Sequence, residues 1–77
     1  KDIAKDLAAS ATLRGKLIAD SEISSLNFSI DVVNGIVYLS GVASSPKEMN
    51  KVVSHAERLR FAQEVVNYII LVQDQRY

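Results

Sequence analysis

The chain has 77 residues, of which 48% are apolar and 23% are charged, and these proportions predict one small soluble domain. Nine basic and nine acidic residues cancel to a formal net charge of zero. That balance argues against a nucleic-acid-binding module, because such modules usually carry a strong basic excess. The sequence has no cysteine, so it offers no disulfide and no thiolate metal site. Its single histidine, His55, cannot by itself make a zinc site or a catalytic triad. We therefore expect a binding or structural module that uses no metal and no cofactor, rather than an enzyme.

The sequence shows no membrane-spanning or targeting segment. The longest apolar run, residues 69–72, is far shorter than the roughly 18 to 20 residues of a membrane-spanning helix. The chain begins with Lys1 rather than methionine and lacks the pattern of a signal peptide. We therefore expect a segment of a longer protein, with any targeting signal or lipid anchor upstream.

The first twenty residues have the spacing of a helix. Two apolar stripes are present, one formed by Ile3, Leu7 and Ala11 and the other by Leu13, Leu17 and Ile18. Because the stripes do not quite align, the pattern fits either one bent helix or two short helices joined near residue 10. Gly15 either allows the helix to approach a sheet closely or is a surface glycine that the helix tolerates.

A β-hairpin follows. Over residues 26–32 the hydrophobic period changes to two, which is typical of a half-buried strand. The pair Asn34-Gly35 predicts a two-residue type I′ turn, because both positions need a positive φ. Val33 then faces Ile36, and the register is fixed. The face that this register turns toward the core comprises Phe28, Ile30, Val32, Val37 and Leu39.

The remaining elements complete an α+β fold. Ser45 is the expected N-cap of a second helix, with Pro46 at its first position and Glu48 as the capping-box acid. Residues 65–72 are apolar on both sides except at Asn67, as in a strand with neighbours on both surfaces. The helix makes a right-handed crossover between parallel strands. We predict an αββαβ two-layer sandwich, in which a three-stranded mixed sheet carries both helices on one face.

At this point the chain resembles a known family, the BON domain. Residues 34–42, Asn-Gly-Ile-Val-Tyr-Leu-Ser-Gly-Val, are similar to its central segment. Residues 17–23 resemble the end of its first helix, and residues 65–69 resemble its closing strand. The resemblance spans residues 10–72 and leaves residues 1–9 as an N-terminal helical extension and residues 73–77 as a polar tail. The family usually has a Gly-Val pair before the last strand.

This chain has Phe61-Ala62 at the position of that pair. The turn into the last strand could therefore be built differently, by extending the second helix and burying Phe61.

The resemblance implies the αββαβ fold and a non-catalytic module of the bacterial periplasm or outer membrane, in a family that includes osmotic-stress proteins and outer-membrane lipoproteins. It also implies binding to anionic phospholipid membranes and a role in envelope integrity or osmotic-stress tolerance. The alternative is a protein-interaction or oligomerisation module within a larger periplasmic protein. A small enzyme or an RNA-binding domain is disfavoured by the missing site chemistry and the neutral charge.

Two surfaces are candidates for binding. Lys5, Arg14 and Lys16 in the first helical region could contact lipid phosphates, each contributing about 1 kcal/mol near an anionic bilayer. The second surface is the sheet face away from the helices, which is open unless one helix covers each face. Its candidate residues are Val33, Ile36, Tyr38, Tyr68 and Ile70. Because neither set belongs to the predicted core, substitutions such as Arg14→Glu or Tyr38→Ser should leave the fold intact.

The other polar residues are expected to be solvated. His55 lacks the partners that a catalytic or ligand role would need. Asp2 with Asp6, and Asp20 with Glu22, form pairs that could suggest acid–base chemistry, but no predicted cleft would raise a carboxyl pKa. We expect all five side chains to lie in solvent.

Overall fold

The computed structural model describes residues 3–60 and 62–72. The elements are α1 (Ile3–Ala19), β1 (Phe28–Val33), β2 (Ile36–Ala43), α2 (Pro46–Glu57) and β3 (Glu64–Leu71), with a 3-10 turn at Ser25–Asn27. Two helices and a three-stranded mixed sheet make an α+β fold, so the predicted class is confirmed. Predictions about Asp2, Phe61 and the 73–77 tail lie outside the described residues.

α1 is one helix of 17 residues, so the chain does not form the two short helices considered above. Its buried stripe is Ala9, Leu13 and Leu17, four residues apart, as packing on a sheet requires. Leu7 is 67% exposed and Ala11 is exposed, so these two members of the first predicted stripe do not face the core. Ile18, predicted in the second stripe, is 64% exposed and also lies outside the core. The predicted boundary between residues 9 and 10 falls inside this helix.

Gly15 lies on the exposed side of α1. A Cβ added at this position would meet no atom within 4 Å. It is therefore a surface glycine, and no described residue approaches the helix closely there.

β1 and β2 form the predicted hairpin. Val33 lies opposite Ile36, and the same antiparallel register continues to the far end of β1. Asn34 and Gly35 have φ values of 53° and 80°, the positive values that a type I′ turn requires. Turn chemistry and hydrophobic alternation agree, which is why the register could be predicted from the sequence.

Gly41 allows a close crossing at the far end of the hairpin. It lies opposite Phe28 and has a φ of 130°. The backbone oxygen of Asn27 occupies the place where a Cβ would be, and the Phe28 Cα would be 2.8 Å from it. Glycine is needed here both for its backbone conformation and for its missing side chain.

β3 lies parallel to β2, with Ile36 opposite Glu64 and Ala43 opposite Leu71. The strand order is β1-β2-β3, so β2 is central. Val37, Leu39 and Ala43 of β2 lie in one core with side chains from both helices, and both helices therefore cover the same face. The buried core comprises Leu13, Leu17, Ile23, Phe28, Val37, Leu39, Ala43, Val52, Ala56, Leu59 and Ile69.

The start of α2 differs from the prediction in one hydrogen bond. The Ser45 hydroxyl accepts from the backbone N–H of Glu48 at 3.1 Å, and Pro46 begins the helix. The Glu48 carboxylate, however, accepts from the backbone N–H of Ser44 at 2.9 Å rather than from that of the N-cap residue. α2 ends at Glu57, so the chain does not form the longer second helix that was considered for the turn into the last strand.

Candidate interaction surfaces

The outward side of α1 is apolar along most of its length. Helical spacing brings its exposed small and apolar residues together on this side, and we call them the outer α1 face: Ala4, Leu7, Ala8, Ala11, Gly15, Ile18 and Ala19. The two large side chains, Leu7 and Ile18, are 67% and 64% exposed. A helix on a protein surface normally turns polar residues outward. α1 is instead apolar on its outward side as well as on the side that packs on the sheet.

Lys5 and Lys16 flank the outer α1 face. Both are exposed, and helical spacing places them about three turns apart on the same flank. Both belong to the predicted lipid-contact set. Because a lysine stem can lie along apolar surface while its ammonium group reaches outward, the two residues can present charge beside this face.

Arg14, the third member of that set, lies elsewhere. Its guanidinium donates to the backbone oxygens of Ser25 and Phe28, each at 3.0 Å. These bonds tie α1 to the segment that enters β1. With these contacts we instead expect Arg14→Glu to destabilise the fold, because a carboxylate there would face two carbonyl oxygens.

The side of the sheet away from both helices is the outer sheet face. Its residues alternate with the core residues along each strand, and no described residue covers them. All five residues predicted for the interaction surface lie on it: Val33, Ile36, Tyr38, Tyr68 and Ile70. Tyr68 and Ile70 on β3 are 65% and 61% exposed, whereas the residues on the central strand are half-buried. Val42, Val66 and Val72 extend the face.

The charges on the outer sheet face are acidic. Asp31 lies opposite Tyr38, and Glu64 lies opposite Ile36. Among the described residues this face has no lysine, arginine or histidine. The two apolar surfaces therefore differ in charge, since the outer α1 face has a basic flank and the outer sheet face has an acidic rim.

A charged network joins the end of α1 to α2. The Asp20 Oδ2 lies 2.9 Å from the Lys51 Nζ and 2.9 Å from the His55 Nε2. Glu22 contacts Lys51 at 2.7 Å and Lys47 at 3.0 Å. His55 and Asp20 have side chains only 22% and 12% exposed, so the prediction that they are solvated is wrong. Glu22 is exposed as predicted, although it has two lysine partners.

The network keeps its carboxyl groups ionised. The hydrogen bond with His55, aided by the Glu22 backbone N–H and by Lys51, holds the pKa of Asp20 well below its usual value. Hydrogen bonds from Lys51 and Lys47 likewise lower the pKa of Glu22. A carboxylate with a lowered pKa is a poor general base near neutral pH. The network is therefore suited to holding α2 against the α1–β1 connection rather than to proton transfer.

Asp6 also has a structural partner that the sequence did not reveal. Its two carboxylate oxygens accept from the backbone N–H groups of Asn34 at 3.0 Å and Gly35 at 3.2 Å. The expectation of a solvated carboxylate at Asp6 is wrong. The Asp6 side chain thus ties α1 to the hairpin turn.

The described residues offer little for metal binding or membrane spanning. Within residues 3–60 and 62–72, no group of three or more His, Cys, Asp or Glu side chains is placed to hold a metal ion. Neither helix in the same ranges has both the length and the hydropathy needed to cross a membrane.

Comparison with known proteins identifies relatives over nearly the whole chain. The family model described as the BON domain matches residues 5–73. A protein of Anaplasma centrale, described as an uncharacterized protein in the gshII 5′ region, is 39% identical over 71 residues, which are 92% of this chain and 47% of that protein. The chain therefore spans about half the length of this curated relative.

Proposed function

Because the chain belongs to the BON domain family, whose members are generally non-enzymatic binding modules, we propose that it binds anionic phospholipid membranes through the outer α1 face. The family suggests a membrane- or envelope-associated module. The observation that carries the proposal is the exposed apolar side of α1 with Lys5 and Lys16 on its flank. In the cell such a module would act in the periplasm or at the outer membrane and support envelope integrity or osmotic-stress tolerance.

The physical basis is that of an interfacial helix. A helix lying in the plane of a bilayer buries its apolar side at the boundary between headgroups and acyl chains. Leu7 and Ile18 would insert there, and the lysines would add about 1 kcal/mol each by attraction to anionic lipid. This attraction weakens as salt screens the charges. The expected binding is weak and reversible.

Co-sedimentation with vesicles tests the proposal. The chain should bind phosphatidylglycerol-rich vesicles more tightly than phosphatidylcholine vesicles, and binding should weaken as salt rises. Lys16→Glu should weaken it roughly tenfold, and Ile18→Ser should also weaken it. Both residues are exposed, so neither change should disturb the core.

The matched control is Tyr68→Ser, on the opposite side of the molecule, which should leave vesicle binding unchanged. Absence of binding to anionic vesicles would refute the proposal. Equal losses from Ile18→Ser and Tyr68→Ser would refute the assignment to the outer α1 face.

The outer sheet face favours a second candidate function, docking of a protein partner. Asp31 and Glu64 are its only charged residues among those described. Because acidic side chains are repelled by anionic lipid, this face is better matched to a protein whose apolar surface is bordered by lysine or arginine. The domain would then act as an interaction module within a larger envelope protein.

Site-directed photo-cross-linking tests the second candidate. A photoreactive residue at position 68 should link to one protein other than this chain in the native host, whereas the same residue at position 7 should not. Asp31→Lys should weaken binding of that purified protein. Cross-links from position 68 to lipid alone, or equal binding by the Asp31→Lys variant, would rule the candidate out.

A further inference from the structure

The sheet has two edge strands, and they differ in how many of their outward backbone groups are available for pairing. Because the strand order is β1-β2-β3, β1 and β3 each have one side without a neighbouring strand. An edge strand presents alternate backbone N–H and C=O groups, and proteins usually block such edges with short strands, charges, proline or covering segments.

The β1 edge is blocked at its entrance. In a two-residue hairpin Val33 and Ile36 form a hydrogen-bonded pair. Because such pairs alternate along the strands, the odd-numbered residues of β1 bond to β2, and the even-numbered residues direct their backbone N–H and C=O groups away from the sheet. The first of these, Phe28, has both groups satisfied, because its N–H donates to the Ser25 oxygen and its oxygen accepts from Arg14. The exposed Asp31 adds a charge in the middle of the strand.

The β3 edge is open over most of its length. The N–H of Val72 donates to the Ala43 oxygen at 2.8 Å. Because the direction of the backbone groups alternates along a strand, the N–H and C=O groups of the odd-numbered residues of β3 point away from β2. Of the four N–H groups at positions 65, 67, 69 and 71, only that of Ile69 has a described partner, the Asn67 side-chain oxygen at 2.9 Å. β3 contains no proline, lysine or arginine, and Glu64 is its only charged residue. Apart from the Asn67 side chain and the charge of Glu64, the usual protections of an edge are thus missing among the described residues.

We propose that the β3 edge pairs antiparallel with β3 of a second copy of this chain, giving a two-fold dimer with a continuous six-stranded sheet. The strand is self-complementary. With Tyr68 opposite its own copy, Asn67 lies opposite Ile69 of the other chain, and the outward N–H and C=O groups of the two strands meet. Glu64 then lies opposite Val72, so the only charge on the strand does not face itself.

The side chains favour the same register. Tyr68 is 65% exposed in the monomer, and two such rings across the axis would form a cross-strand aromatic pair. One pair of short strands buries less surface than the roughly 1,200 to 2,000 Å² of a stable interface. The dimer is therefore expected to be weak and to depend on concentration. This proposal is independent of membrane binding.

Sedimentation equilibrium of the 77-residue chain over a wide concentration range tests the proposal. The average mass should rise from 8.5 kDa toward twice that value. Asn67→Pro should weaken dimerisation roughly tenfold or more, because proline removes an outward-facing donor and leaves the bonds to β2 in place. Asn67→Ala is its control, and it should dimerise at least as well as the parent because it frees the Ile69 N–H.

A second pair of variants covers the case in which Asn67→Pro fails to fold. Tyr68→Lys places like charges on the two-fold axis and should abolish the dimer. Ser29→Lys is the control, because Ser29 on β1 and Tyr68 on β3 both lie beside Ser40 of the central strand. It places the same charge at the β1 edge and should have no effect on dimerisation. A mass of 8.5 kDa at all concentrations would overturn the proposal. Equal losses from the two lysine variants would also overturn it, since they would indicate contact through the sheet face.

Discussion

The Glu48 Oε2 accepts a hydrogen bond of 2.8 Å from the backbone N–H of Ser24, which lies 24 residues earlier in the chain. The other oxygen of Glu48 accepts from the backbone N–H of Ser44 at 2.9 Å. Glu48 is 5% exposed. Burial raises the pKa of its carboxyl group, but the hydrogen bonds from Ser44 and Ser24 outweigh burial and hold that pKa below its usual value. One carboxylate thus joins the α1–β1 connection to the start of α2.

Glu48→Gln should destabilise the chain by about 2 kcal/mol at neutral pH, because an amide leaves buried N–H groups poorly paired. The folded-state pKa is below the unfolded-state pKa, so the extra stability is present above the ordinary value of 4.5. It is lost as pH falls through the folded-state pKa. Urea unfolding of both proteins should show the difference between their midpoints shrinking in acid. A difference that does not change with pH would contradict this role.

Lys51→Met should lower the urea midpoint more than Lys47→Met. The Lys51 side chain is 31% exposed and contacts both Asp20 and Glu22, whereas the Lys47 side chain is 72% exposed and contacts Glu22 alone. Ion pairs in solvent contribute little because water screens them. A Lys51→Met midpoint equal to that of the parent would show that the charged network does not stabilise the fold, and equal losses from the two variants would contradict the larger role of Lys51.

Asp6→Ala should destabilise the chain by roughly 1 to 2 kcal/mol, because two turn N–H groups lose their acceptor. Amide hydrogen exchange should accelerate at Asn34 and Gly35 more than in the rest of the sheet. Glu57→Ala serves as the control, because Glu57 is exposed. If Asp6→Ala left amide exchange at the turn unchanged, this would show that the Asp6 carboxylate does not stabilise the turn in solution.

Gly41→Ala should destabilise the chain by about 3 kcal/mol, because alanine is strained at the positive φ of this residue and its Cβ would meet the backbone at Asn27. Chemical denaturation measures the loss. A variant as stable as the parent would mean that β1 and β2 can separate at this point without cost.

Gly15→Ala should have the opposite effect and stabilise the chain by about 1 kcal/mol, since alanine is the better helix former and the site is open. Thermal unfolding should show a midpoint higher by a few degrees. A lower midpoint would indicate a contact on the outer α1 face.

The sequence predicted the features that depend on neighbouring residues. Asn34-Gly35 and the alternation around it determine the hairpin register locally, and Ser45-Pro46 marks the start of α2. α1 was harder, because both of its sides are apolar and periodicity alone does not say which side is buried. Packing selects the side of Leu13 and Leu17, and it leaves Leu7 exposed.

The long-range polar contacts could not be predicted. Asp6 binds backbone N–H groups 28 and 29 residues away, and Arg14 binds backbone oxygens 11 and 14 residues away. Backbone groups are the same at every position, so no residue type marks the partner of such a side chain. Only the folded arrangement brings Asp6 to the turn. The outer sheet face, in contrast, follows from strand alternation once both helices lie on the other side.

The parallel pairing of β2 with β3 has a consequence for the order of folding. The β1–β2 hairpin closes over two residues, and such hairpins form in about 1 to 10 μs. β3 reaches β2 only after the whole α2 crossover has been arranged, and such distant pairings slow folding. In the interval the central strand has one side unpaired and an apolar C-terminal strand remains free. Before β3 docks, association between chains should therefore occur most readily through β2 and β3, and substitutions that slow this docking should lower the yield of refolding more than they lower equilibrium stability.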